Sequence, residues 1–379
     1  MAPFFAKQSC DPFQPRDRPC ELGNYVRYAV NASGPADVQR TIAFAASKNI
    51  RLVVRNTGHD YLGRSTAFGS LAVWTHHLKA IDHIPAYKGS GYNGPAFKIG
   101  AGVQGFEIMA AARDQGLVVV GGECPTVGIA GGYTQGGGHS AISTSFGLAA
   151  DNVLSWEIVT ASGKLVNANQ RENSDPILAP FIARLDSKSV NYTASYSEFD
   201  TYYEHYDKYF GPLPLGNIQV GIAQYGTRLI PRSVVGNITT TWKTIVEQGV
   251  TWIGVGTDVK PFGTEKTTSV HPAWRKAIVH ATLTLPWNFT APWSEALATQ
   301  DKMTNEIQPL IEAATPGSGS YVNEADWRQP NFQTTFWGSN YGRLLSVKRK
   351  WDPSGIFYAT VGVGSEAWTV KGDGRLCRA

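Results

Sequence analysis

The stretch Gly121-Gly-Glu-Cys124-Pro-Thr126-Val-Gly128-Ile-Ala-Gly-Gly132-Tyr-Thr-Gln-Gly136-Gly-Gly-His139 decides the reading of this chain. Eight of its nineteen residues are glycine. A single turn needs one or two, at positions where φ must be positive or backbones must approach closely. The excess implies an extended or flat ligand pressed against main chain, and Cys124 lies within the same segment. A β-branched run, Leu117-Val-Val-Val120, feeds into it and reads as a strand.

An upstream segment shares this architecture. Arg51-Leu-Val-Val-Arg55 reads as a strand and runs into Asn56-Thr57-Gly58-His59-Asp-Tyr-Leu-Gly63-Arg-Ser65. Consecutive backbone N–H groups in such a glycine-bearing loop can form an anion-binding nest. His59 is placed where an imidazole could reach a ligand, and Arg55 and Arg64 could add positive charge. Before it, Pro35 suits a first helical turn, and Val38, Ile42, Ala45 and Ala46 form an apolar stripe at helical spacing. After it, a helix is expected over about 104–115. Trp156–Thr160 and Lys164–Val166 flank Ser162-Gly163 as a hairpin. Residues 20–170 thus read as an α+β or α/β unit.

Beyond 171 the composition shifts. Aromatic residues crowd 192–210, where a helix over 196–210 is expected. Ile218–Ile222 and Val250–Val255 suit antiparallel strands. Helices are expected over 292–313 and 339–350, with a breaker at Asp352-Pro353. A second α+β domain therefore spans roughly 175–320.

Composition limits the function classes. The chain has 379 residues, 42% hydrophobic and 17% charged, with a formal net charge of +4. That charge is too mild to argue for nucleic acid or a membrane surface. No apolar run is long enough for a transmembrane helix. No dinucleotide-type GxGxxG stands between a strand and a helix, and P-loop, zincin and GxSxG motifs are absent. No CxxC or HxxxH pair offers a metal site, so none is expected. Four cysteines (Cys10, Cys20, Cys124, Cys377) and four sequons (Asn31, Asn191, Asn237, Asn288) favour a secretory history. A local Cys10–Cys20 disulfide suits the short Pro-rich spacing, two unrelated thiols being the alternative. The first residues, MAPFFAKQSC, show no signal-peptide pattern.

The segments GHDYLG and GGxCPTVGxxGGYxxGGGHS resemble the flavoprotein oxidases of the vanillyl-alcohol oxidase superfamily, in the fungal berberine-bridge-enzyme-like branch. Tyr321-Val-Asn323, Phe336–Tyr341 and Lys348–Pro353 are similar to that family's terminal segment. The resemblance implies an α+β fold in three parts. A PCMH-type FAD-binding domain would span 1–173, a substrate domain with an antiparallel sheet 174–320, and a segment returning to the flavin 321–379. It implies FAD attached through His59 and also through Cys124. The pyrophosphate would lie on the loop at 55–59, and Arg55, Asn56, Thr57, Gly58 and Gly63 would bind the cofactor. Gly122, Thr126, Gly128, Gly132, Gly136, Gly137, Asn323 and Asn340 would complete the cofactor site. Tyr321 and Tyr341 would be the base candidates, and packed core tyrosines the plainer alternative. Substrate hydride would pass to flavin and then to dioxygen, giving hydrogen peroxide. The substrate would be a small carbohydrate, alcohol or phenol, and the enzyme a secreted monomer. Against the family's usual extent, the chain is expected to lack N-terminal residues and the last FAD-domain strand after Val166. A non-catalytic paralogue, or a faulty gene model, that keeps no FAD is the rival reading.

Overall fold

The computed structural model describes residues 4, 6–9, 13–89, 92–169, 198–217, 221–262, 268–372 and 374–379. Three short strands, β1 (Tyr28–Asn31), β2 (Leu52–Arg55) and β3 (Leu71–Trp74), form a parallel sheet in the order β1-β3-β2. Helix α1 (Pro35–Ser47) connects the first two strands. Its stripe is read correctly from sequence: Ile42 and Ala45 are buried with Leu52, Val73 and Ala32. Pro35 at the first turn costs nothing, because that N–H has no helical partner in any case.

Two antiparallel hairpins flank this sheet. β4 (Ile81–Gly89) pairs with β5 (Tyr92–Ile99). After α2 (Gly105–Arg113) and the glycine segment, β6 (Ser155–Val159) pairs with β7 (Leu165–Asn169) around the expected turn. One expected strand is not seen: Leu117–Val120 joins no ladder among the described residues. A β-branched run favours an extended chain, but a strand exists only where a neighbour takes its hydrogen bonds. The unit is therefore mixed, with a parallel sheet and antiparallel ribbons.

The second part begins at α3 (Tyr202–Phe210), shorter than the expected helix because Thr201 caps it, accepting from the Glu204 N–H. Its core is an antiparallel sheet in the order β8 (Ala223–Pro231), β10 (Ala277–Pro286), β9 (Thr251–Gly256). Helix α4 (Thr239–Glu247) and the continuous helical run of α5 (Trp293–Lys302), a π turn at Met303–Ile307 and α6 (Gln308–Ala314) cover that sheet. Ile230, Ile245, Leu283, Met303, Ile307 and Ile311 are buried between them. The expected strand Ile218–Ile222 falls partly on 218–220, outside the described residues.

The terminal part crosses back. α7 (Phe332–Trp337) and α8 (Tyr341–Trp351) follow residues 321–323, and Phe357 makes a parallel bridge to Leu52 of β2. A final ribbon, β11 (Trp368–Val370) with β12 (Leu376–Arg378), closes the chain. A cluster of Leu148, Leu229, Trp274 and Tyr321 ties first, second and terminal parts together. Cys20 is disulfide-bonded, while Cys124 and Cys377 are free thiols. Cys10 lies outside the described residues. Among the described residues no helix is long and apolar enough to cross a membrane.

Candidate flavin site and its buried acid–base cluster

The loop after β2 takes the shape its glycines permit. Gly58 and Gly63 have φ of +88° and +71°. A Cβ at Gly58 would stand 2.5 Å from the Arg55 guanidinium, so the arginine folds over its own loop. Asp60 takes the Arg64 backbone and side-chain N–H groups. The Asn56 amide donates to the Ala101 carbonyl at 2.5 Å, while its buried Oδ1 has no partner.

The glycine segment lies against this loop. Gly128 N donates to Thr57 Oγ1 at 3.3 Å, and a Cβ at Gly128 would fall 2.4 Å from the Asn56 amide. His59 Nε2 stands 2.8 Å from Thr126 Oγ1, and Thr126 also hydrogen-bonds the Cys124 thiol. One hydroxyl thus joins the two side chains singled out from sequence. Burial keeps His59 below the ordinary imidazole range, so it is neutral near pH 7. Burial and the neighbouring Glu123 carboxyl push the Cys124 thiol up, against the hydrogen bond from Thr126. Across from them, Tyr206 of α3 donates to the Gly122 carbonyl at 2.6 Å.

The terminal part clamps the same segment. Asn323 Nδ2 donates to the Gly132 carbonyl at 2.9 Å, and Tyr321 Oη accepts from Gly138 N at 3.3 Å. A Cβ at Gly136 would lie 2.3 Å from the Asn323 side chain, and one at Gly137 3.6 Å from the Tyr321 ring. Tyr321 is 1% exposed, and burial, with the Glu324 charge beside it, pushes its phenol far up. Its oxygen also accepts from Asn323 Nδ2 at 2.8 Å. Among the described residues Tyr341 shares no hydrogen bond or ring contact with this cluster. Its hydroxyl donates to Glu366 at 2.6 Å and accepts from Gly364 N, and burial and the Glu366 contact push it up to about 12. The Asn340 side chain is spent on the Val270 carbonyl at 2.9 Å.

Sequence reasoning missed the group beside Tyr321. His139 closes the glycine run, Glu324 follows Asn323, and His280 comes from β10. Their possible ligand atoms lie within 4.8 Å of one another. A search by local spacing cannot find residues brought together from three parts of the chain. Glu123, Tyr61 and Tyr225 border the same region, the two tyrosine rings 4.4 Å apart.

The residues present fit a flavin dinucleotide: a glycine-lined cradle that Cβ atoms would fill, an orphaned amide oxygen on Asn56, and a neutral imidazole beside a thiol. The comparisons agree. Residues 26–169 match the FAD binding domain family, and residues 320–364 match the berberine and berberine-like family. The chain belongs to the FAD-linked oxidoreductases of the vanillyl-alcohol-oxidase type. It is 51% identical to the FAD-linked oxidoreductase ZEB1 of Gibberella zeae, covering 100% of this chain and 83% of that protein. It is 36% identical to the VAO-type flavoprotein oxidase VAO615 of Thermothelomyces thermophilus, covering 99% and 82%. The crystal structure of the VAO-type flavoprotein MtVAO615 from Myceliophthora thermophila superimposes with a TM-score of 0.90 at 35% identity, over 98% of this chain and 85% of that one.

Proposed function

We propose that this oxidoreductase is an oxidase of a small alcohol, carbohydrate or phenol, carrying FAD bonded to His59 and to Cys124. The observation that carries this reading is Thr126 joining the His59 imidazole and the Cys124 thiol. A neutral imidazole and a thiolate are the two side chains here able to bond to an electrophilic flavin ring. Bound there, flavin supplies a two-electron acceptor, and dioxygen takes the electrons onward to hydrogen peroxide. The protein's own part is to hold and cover that centre. Asn56, Thr57 and the backbone of 55–59 would hold the pyrophosphate, and Tyr61 and Tyr225 would border the substrate. The relative VAO615, named an oxidase, supports oxidase over dehydrogenase. The enzyme acts as a monomer and enters the secretory pathway, where Asn31, Asn237 and Asn288 are exposed sequons. Asn191 lies outside the described residues.

The test is colour after acid precipitation, followed by mass mapping of a protease digest. Yellow precipitate and an adduct on the His59 peptide are expected, with none on His76, His77 or His83. A colourless protein would leave the non-catalytic paralogue as the reading.

A further inference from the structure

The buried trio His139, Glu324 and His280 has a definite hydrogen-bond polarity. Thr227 Oγ1 donates to the Ala281 carbonyl at 2.9 Å, so it must accept from His280 Nε2–H at 2.8 Å. That fixes His280 as the neutral Nε2–H tautomer, with its buried Nδ1 unpartnered. Burial holds it down to about 3. Glu324 Oε2 accepts from Thr282 Oγ1 at 3.1 Å and lies 3.7 Å from His280 Nε2. Glu324 Oε1 lies 2.8 Å from His139 Nε2, which must therefore carry hydrogen. The exchangeable position on His139 is then Nδ1. Side-chain exposure rises from 0% at His280 to 11% at His139 and 24% at Glu324, and Glu123 and Tyr61 neighbour Glu324.

We propose that His139 is the base of the reaction and Glu324 its positioning residue, the pair displacing Tyr321 and Tyr341 from that role. This rests on the alcohol-oxidation reading above. In the step, the substrate O–H bond breaks and its proton goes to His139 Nδ1. The C–H electron pair leaves as hydride to the bound FAD, which is the oxidant, and a C=O bond forms. The product state is a carbonyl compound with an imidazolium–carboxylate pair, a charge arrangement that Glu324 stabilises. The groups facing His139 are Glu324, Glu123, His280, Tyr321 and Trp274. Burial alone would lower its pKa, but the charge and hydrogen bond of Glu324, with Glu123 beyond, raise it above the ordinary imidazole value. Burial would raise Glu324, yet the two histidines and Thr282 hold it at about 2. A base needs its unprotonated form, so the rate should climb as pH rises through the His139 value.

Two measurements test this on the FAD-loaded protein. In ¹⁵N-histidine NMR, His139 should titrate at Nδ1 above the free imidazole value, and Glu324→Gln should lower that pKa by roughly one unit or more, a tenfold change in proton affinity. In anaerobic bleaching of the flavin band by benzyl alcohol, vanillyl alcohol or D-glucose, His139→Gln should slow reduction about 10²–10⁴-fold at unchanged flavin content. Glu324→Gln should shift the acid limb of the pH profile down. His139 that stays neutral over about pH 5–9, bleaching by His139→Gln at the wild-type rate, or a stoichiometric metal ion on the trio would overturn the proposal. If no probe bleaches the wild type, the substrate reading fails instead, while the NMR titration still decides the pair.

Discussion

Thr126 lies between two side chains whose burial has opposite consequences for their reactivity. His59 needs no deprotonation to act as a nucleophile, because burial already keeps it neutral. Cys124 does need it, and burial and Glu123 oppose it. The thiolate is the reactive form, so its bond to flavin should form more slowly than the histidyl bond and should speed up as pH rises. Apoprotein given FAD and sampled over time by mass spectrometry should show the His59 adduct first. Glu123→Gln should move the rise in cysteinyl bonding to lower pH, and Cys124→Ala should leave one link and a histidyl-type spectrum. Equal rates at every pH would contradict this. The proximity of His59 and Cys124 was legible because each sits in a loop with more glycines than one turn needs. His139 sits in one of those same loops, yet its role was not legible, since Glu324 and His280 meet it only through the fold.

At the scale of elements, the glycine segment is gripped from three sides: the 55–59 loop, α3 through Tyr206, and residues 321–323. The glycines were visible in the sequence, but what presses on them was not. Gly136 has no positive φ, yet a Cβ there would overlap the Asn323 side chain at 2.3 Å. Gly136→Ala should therefore push Asn323 off the Gly132 carbonyl, at a cost of about 1–3 kcal/mol from overpacking. Chemical denaturation would read that loss, and flavin content should fall with it. An unchanged midpoint would mean the clamp yields freely. Regular elements were read well where periodicity governs them, as in α1 and the β6–β7 hairpin. Leu117–Val120 was misjudged because ladder formation belongs to two segments, and sequence pattern describes only one. The partner of Tyr341 was not legible for a related reason: its motif position is local, while Glu366, which it meets, is set by the turn into β11.

At the scale of the whole molecule, the open question is the sheet edge after β7. The alignment with the Gibberella zeae relative runs over 471 positions against 379 residues here, so that relative carries residues this chain lacks within the matched span. The family resemblance places a glycine-rich segment and a strand after Val166. Apolar side chains of the β6–β7 ribbon stand uncovered: Ile158 is 42% exposed and Leu165 50%. Covering a large apolar side chain fully is worth about 1.5–3 kcal/mol, so half-covering these two would contribute roughly 2 kcal/mol. Among the described residues β7 pairs with β6 alone, and a further strand would protect its other edge from pairing with other chains. Inserting the family's segment after Asn169 should raise the melting temperature by roughly 4–8 °C, at about 2–4 °C per kcal/mol for a domain of this size. Flavin content should rise too, since added backbone N–H groups would meet the pyrophosphate. Thermal melts followed by flavin fluorescence on both chains provide the comparison. Equal melting temperatures and equal flavin loading would show that residues 1–379 already close the flavin domain without it.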